Sequence, residues 1–230
     1  MKILAFDTST KYLSIACLED EEPKAEFHEP SGVRHGEILV PTIKGMLEGL
    51  GWGMPDIGLI CMGLGPGSFT GLRIAAATVK GFAAVLGCKV IGVPTMDVIV
   101  SGLPGRPRGR VAPLLDAHKG KVYTCVYDCS QDGTERLTEY LLIKLEDLLS
   151  GLEKETCFFG GAIEKYKETL DRCPLAKYDE NILWYPRAAE TGRIGYKRSL
   201  VRTDDPADLE PLYLHAKDCN TTRPDVADTV

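Results

Sequence analysis

Three places in the sequence hold residues able to do chemistry. The short apolar strand Lys2–Asp7 ends in Asp7-Thr8-Ser9-Thr10, a carboxylate followed by three hydroxyls. The apolar run Val111–Ala117 closes on Asp116 in the same way. A pair of such aspartates can coordinate a hydrated Mg²⁺, and the hydroxyls can donate hydrogen bonds to a phosphate. The third place is Gly65-Pro66-Gly67-Ser68-Phe69-Thr70-Gly71, set between an apolar strand and a long helix. Backbone N–H groups at such a turn point outward, and the helix N-terminus adds partial positive charge, a geometry that can hold an anion. Asp7, Ser9, Gly67, Ser68 and Asp116 are therefore the candidate anion or nucleotide contacts. The loop matches neither G-x-x-x-x-G-K-[ST] nor G-x-G-x-x-G. Read alone, it is a tight turn with Ser68 or Thr70 as N-cap.

The remaining chemical signals are sparse. The chain has four histidines, His28, His35, His118 and His215, and no two lie at metal-ligand spacing. A lone imidazole does not hold a catalytic metal, so no metal is expected. None of the eight cysteines forms a C-x-x-C pair, and Cys17, Cys61 and Cys125 lie in apolar, strand-like runs. They read as buried, reduced thiols. No G-x-S-x-G elbow and no H-E-x-x-H is present.

The elements that position these residues follow from hydrophobic spacing. Leu13–Leu18 reads as a second strand and Lys24–His28 as a third, joined to the first by hairpins. Leu39, Ile43, Met46, Leu47 and Leu50 have helical spacing, with Pro41 predicting a kink or a late start. Strand Ile57–Gly63, the helix after Gly71 and strand Lys89–Val93 follow. Ser101–Gly109 is rich in Gly, Pro and Arg and reads as a linker. The pattern then restarts: Val111–Ala117, Lys121–Asp128 and Glu135–Ile143 repeat the strand–Asp–turn–strand–strand opening.

Composition bounds the rest. A chain of 230 residues with 44% hydrophobic and 26% charged residues is an ordinary globular protein. Its net charge of −6 gives no wholesale basic surface for nucleic acid, so any RNA contact needs a local patch. No apolar stretch long enough to span a membrane is free of charge. Met1–Asp7 meets an acid too soon for a signal peptide, and the cytoplasm is the expected location. From Leu72 to Leu86 only Arg73 and Lys80 are charged. A helix apolar nearly all round is covered on most sides, either by two layers of its own fold or by another molecule.

Together, Lys2–Thr10 (KILAFDTST), Arg34-His35-Gly36-Glu37, Gly65–Ile74 (GPGSFTGLRI), Asp116–Tyr123 and Pro211–His215 resemble the bacterial TsaB (YeaZ) family over nearly the whole chain. The resemblance implies an α/β fold of the actin-like/Hsp70-like ATPase (ASKHA) class with two related βββαβα subdomains. The expected boundaries are 1–104, 105–215 and a flexible tail 216–230. It implies a non-catalytic partner subunit in forming N6-threonylcarbamoyladenosine in tRNAs that read codons beginning with A. The implied partners are the homologous catalytic subunit TsaD and the ATPase TsaE, with a homodimer when the chain is alone and tRNA met only through the complex. The catalytic paralogue carries two histidines four apart on a helix. Here position 39 is Leu and position 31 is Ser, so His35 is expected to start its helix and make a packing or interface bond. His35, Leu39, Leu72, Ala76, Val79, Lys80 and Ala83 are the expected interface. No cofactor of its own is expected, with ATP or ADP and Mg²⁺ shared at most with TsaD. A small-molecule phosphotransferase of the actin-like class, built on Asp7 and Asp116, and a homodimeric scaffold without a tRNA role are the alternatives.

Overall fold

The architecture is taken from a computed structural model that describes residues 1–32, 34–103, 108–131, 133–178 and 185–214. In the first half, β1 (Lys2–Asp7), β2 (Tyr12–Glu19) and β3 (Glu22–Pro30) pair antiparallel. After α1 (His35–Gly49), β4 (Ile57–Gly65) pairs parallel to β1. After α2 (Phe69–Leu86), β5 (Lys89–Pro94) pairs parallel to β4, and α3 (Thr95–Ser101) ends the half. The sheet order is β3-β2-β1-β4-β5. Ile3 to Asp7 on β1 are all buried, as befits a strand covered on both faces. Edge strand β3 alternates exposed Glu and Lys with half-buried residues, which blunts pairing with other chains.

The second half repeats this order. β6 (Gly109–Pro113) and β7 (Leu115–Asp116) stand where β1 stood, and β8 (Lys121–Thr124) with β9 (Tyr127–Cys129) replaces β2. β10 (Thr134–Arg136) and β11 (Leu141–Lys144) replace β3. After α4 (Leu145–Ser150), β12 (Thr156–Phe159) pairs parallel to β6, and after α5 (Ile163–Asp171), β13 (Ala176–Tyr178) pairs parallel to β12. The order β10-β9-β6-β12-β13 copies that of the first sheet, with the same switch from antiparallel to parallel. Two such halves make the actin-like/Hsp70-like fold. Three strands read from sequence as continuous are each broken once, at Leu114, at Cys125-Val126 and at Leu137–Tyr140. At the breaks the backbone takes other partners: the Leu114 amide donates to Phe159 O at 2.7 Å and that of Leu137 to Val126 O at 2.8 Å. A separate sheet, β11-β8-β7, results.

One face of the first sheet packs Leu4, Phe6 and Ile15 against Leu39 and Ile43 of α1 and Val79 of α2. The helix α1 begins at His35 with Pro41 inside it, so of the kink or late start expected from the proline the late start does not occur. The other face carries α6 (Ala188–Ser199), whose Ala188 and Ala189 meet Ile3, Ala5 and Leu18. This corrects the boundary of 105–215 for a second subdomain. After the second sheet the chain returns to the first half. The Asp204 amide bonds Val90 O, Leu209 joins the first core, and the Leu212 amide bonds Leu64 O at 2.8 Å. Met96, Ile99 and Val100 of α3 share a core with Val111 and Leu115, so the halves are packed together. Residues 104–107 of the expected linker and the expected tail 216–230 lie outside the described residues.

Candidate functional site

The ends of β1 and β7, the entry to α2 and the turn after β12 converge on a cleft between the halves of about 700 Å³. Ser9, Gly67, Ser68 and Asp116 line it, together with Lys11, His118 and Tyr185. Asp7 does not reach it. Its carboxyl is fully buried, with Oδ1 accepting from the Ser9 amide at 2.8 Å and the Ser9 hydroxyl at 2.6 Å. Oδ2 lies against Gly63, where a Cβ would fall 1.9 Å away, and it meets no donor among the described residues. Burial pushes this carboxyl up to about 6, with the Ser9 bonds opposing.

The glycine loop is built for close packing. A Cβ on Gly67 would fall 2.2 Å from Ser9 O, and one on Gly71 would fall 1.9 Å from Thr8 O. The β1 terminus occupies the space beside both glycines. Its polar groups are matched to the loop: the Ser68 amide donates to Ser9 O at 2.7 Å and the Thr8 hydroxyl to Gly71 O at 2.7 Å. Ser68 is the N-cap of α2, its Oγ accepting from the Gly71 amide at 3.3 Å. Of the two N-caps the sequence allows, the structure uses Ser68.

Asp116 faces the cleft but is already paired. The Lys165 ammonium lies 2.8 Å from both of its oxygens, and the His118 amide donates to Oδ1 at 3.1 Å. Burial acts to raise its pKa, but these donors outweigh it and hold the carboxyl below the ordinary range. A magnesium nucleotide of the kind this fold class implies does not fit these residues. One aspartate is shut behind Gly63, the other is neutralised by a lysine, and the glycine cradle is filled by the chain itself. Among the described residues no group of three or more His, Cys, Asp or Glu could hold a metal ion. Of the candidate anion or nucleotide contacts, Asp7 is enclosed away from the cleft, and Asp116 reaches it already paired with Lys165.

His35 starts α1 and is buried. Its Nε2 lies 2.8 Å from Thr10 O, which can only accept, so Nε2 carries the proton and Nδ1 accepts from the Ser31 hydroxyl. The imidazole staples the β1–β2 turn to α1. Of the other expected interface residues, Leu39, Leu72, Ala76, Val79 and Ala83 are all buried within this chain. They belong to its own interior, which corrects their placement on a contact surface. Lys80 is half-buried, with its ammonium on Ala207 O at 2.8 Å. The outward face of α2 is instead Arg73, Ala77, Gly81, Ala84 and Val85. By length and composition α2 is also the one described helix able to cross a membrane, but its Leu72, Ala75 and Val79 pack inside the protein.

Sequence reading missed Lys11, Tyr12, Tyr185 and Lys165. Lys11 reaches the Tyr185 hydroxyl, which raises its pKa, and lies over the Tyr12 and Tyr185 rings. Those rings stand 4.4 Å apart between centroids. Tyr12 and Tyr185 are far apart in the chain, and no local pattern joins them.

Comparison with known proteins places the chain among relatives of like fold. The family model described as "TsaD: tRNA N6-adenosine threonylcarbamoyltransferase" matches residues 22–183. The tRNA threonylcarbamoyladenosine biosynthesis protein TsaB of Escherichia coli is 35% identical over 58% of this chain and 58% of its own length. TsaB of Bacillus subtilis is 28% identical over 74% of this chain and 76% of its own. The solved structure of YeaZ from Pseudomonas aeruginosa superposes with a TM-score of 0.79 at 25% identity, over 93% of this chain and 99% of that one.

Proposed function

Because the chain belongs to the family of the matched TsaD model, its relatives there being the TsaB (YeaZ) proteins, we propose that it serves the formation of N6-threonylcarbamoyladenosine in tRNA. In this reading it is a non-catalytic subunit that pairs with a TsaD homologue and supports binding of TsaE, in the cytoplasm. The observation that carries the non-catalytic part is the spent cleft. Asp7 is enclosed, Asp116 is held by Lys165, and the Ser68 and Gly71 amides of the glycine loop are matched inside the chain. These residues then act as structure: they fix the entry to α2.

The outward face of α2 supports the pairing. Ala77, Gly81 and Ala84 are small and exposed, and Val85 and Val40 of α1 add 85% and 46% exposed apolar side chains. Small residues let a second helix approach closely, and an exposed apolar stripe is covered in an assembly. The same face serves a second copy of the chain when no homologue is present.

The test is reconstitution with the TsaD and TsaE homologues, tRNA, threonine, bicarbonate and ATP. Modification is expected with this chain present and absent without it, and the chain alone turns over no ATP. Full-rate modification without it overturns the role. Magnesium-dependent ATP turnover by the isolated chain, lost in Asp7→Asn, establishes the phosphotransferase instead.

A further inference from the structure

The two rims of the cleft carry unlike chemistry, and neither rim is explained by the fold. One rim is the turn from β7 to β8. His118 and Lys119 there have φ of 60° and 51°, the left-handed region in which side chains other than Gly, Asn or Asp are strained. The Lys121 amide closes the turn on His118 O at 3.0 Å with Lys119 and Gly120 at its centre, so Gly120 (φ 76°) sits at ease while Lys119 stands where Asn or Gly is preferred. His118 is 87% exposed, and Lys119 is exposed beside it. Lys121 follows on β8, and its cross-strand partner on β11 is Lys144. Like charges directly opposite each other in an antiparallel pair are destabilising. Among the described residues no ion pair joins Lys119, Lys121 or Lys144 to an acid. So the turn bears two costs, backbone strain and repulsion, in a chain whose net charge is −6.

The other rim is the start of α2. Phe69 lines the cleft with 51% of its surface exposed. The Arg73 guanidinium lies 3.8 Å over its ring, and the Tyr213 ring, 45% exposed, stands 5.3 Å away. Exposed aromatics with an arginine form a stacking platform, and unneutralised lysines suit a phosphate backbone. His118 of this turn and Phe69 both line the cleft, so the turn that carries Lys119 and the aromatic start of α2 border one opening; cations beside exposed rings are what hold unpaired nucleotides. A flat duplex offers no base face to Phe69 or Tyr213.

We infer that this cleft mouth binds a single-stranded segment of RNA, its phosphates on Lys119, Lys121 and Lys144 and a base on Phe69 and Tyr213. Resting on the function proposed above, the segment is the unpaired loop of the tRNA substrate, and the chain contributes its own contact to the complex. This goes beyond the expectation that tRNA is met only through the complex.

The experiment is fluorescence anisotropy of the full-length chain with a fluorescein-labelled tRNA anticodon stem-loop, an oligouridine strand and a blunt RNA duplex. Wild type is expected to bind the stem-loop and oligouridine more tightly than the duplex, with affinity falling as salt rises. Lys119→Glu with Lys121→Glu should weaken binding at least tenfold and lower the salt slope by about one per lysine removed. Phe69→Ala should weaken it about tenfold with the slope unchanged. Each variant is checked by thermal melting and by sedimentation with the TsaD homologue, to separate binding from folding and assembly. No binding by wild type at low salt, equal binding of duplex and single strand, or unchanged affinity in folded variants overturns the inference. In the reconstituted system the two readings separate. Variants that form the complex but raise the KM for tRNA support it. An unchanged KM for tRNA, in a reaction that still requires the chain, sinks it and leaves the proposed function standing.

Discussion

Asp7 shows how one carboxyl can look catalytic in sequence and be structural in the fold. It ends a central strand, next to three hydroxyls, yet it is wholly enclosed and spends Oδ1 on Ser9. Its pKa, raised to about 6 from an ordinary 3.8, is a stability statement. Between those values the unfolded chain releases its proton first, so stability falls as pH rises from about 4 to 6 and is level above. His28 acts in the opposite sense. Burial first, and then Arg187, lowers it to about 4, so stability is lost as pH falls below its ordinary value. Comparing Asp7→Asn with wild type cancels the histidine. The variant should gain on wild type by up to about 3 kcal/mol between pH 4 and pH 7, whatever constant offset the substitution carries. Urea unfolding at the two pH values measures it, and a difference independent of pH would contradict the enclosure of Asp7.

At the scale of elements, α2 is the informative piece. Its sequence is apolar on nearly every side, and period alone does not say which side faces inward. The structure decides this because β4 and α1 offer one apolar wall, taken by Leu72, Ala75, Ala76 and Val79. Ala77, Gly81 and Ala84 are left outside. Ala77→Arg should therefore abolish self-association in sedimentation while shifting monomer stability by no more than about 0.5 kcal/mol. Val79→Glu buries an unpaired charge and should cost several kcal/mol, enough to unfold the chain in a thermal melt. Self-association that survives Ala77→Arg would move the contact to another face.

Across the whole molecule, the halves are tied by more than the shared apolar core. Asp97 of α3 accepts from Tyr127 at 2.8 Å and Tyr140 at 2.9 Å in the second half, and its other oxygen takes Arg198 of α6 at 2.8 Å. Burial, and then the Asp97 charge, raises both tyrosine pKa values, so these hydroxyls stay protonated donors. One carboxylate thus joins the last helix of the first half, strand β9 and the β10–β11 connection of the second, and the returning helix. Asp97→Asn replaces charge-assisted bonds by neutral ones and should lower stability by about 2 kcal/mol. The same variant should speed hydrogen exchange at the β9 and α6 amides together. A loss below about 0.5 kcal/mol would show that the apolar core alone holds the halves.

The sequence by itself determined the strands of the first half, the glycine-rich turn into α2, the repeat of the opening motif and the family, because these reside in local spacing and in short contiguous segments. It read His35 as a helix start with a packing bond, since a lone imidazole admits little else. Only the tertiary structure decided that Asp7 is enclosed and Asp116 paired with Lys165, that the loop glycines make room for the β1 terminus, and that α6 returns to the first sheet. Each of those depends on atoms brought together from distant parts of the chain. A residue's type and neighbours in sequence set what it can do, while burial and distant partners set what it is left free to do.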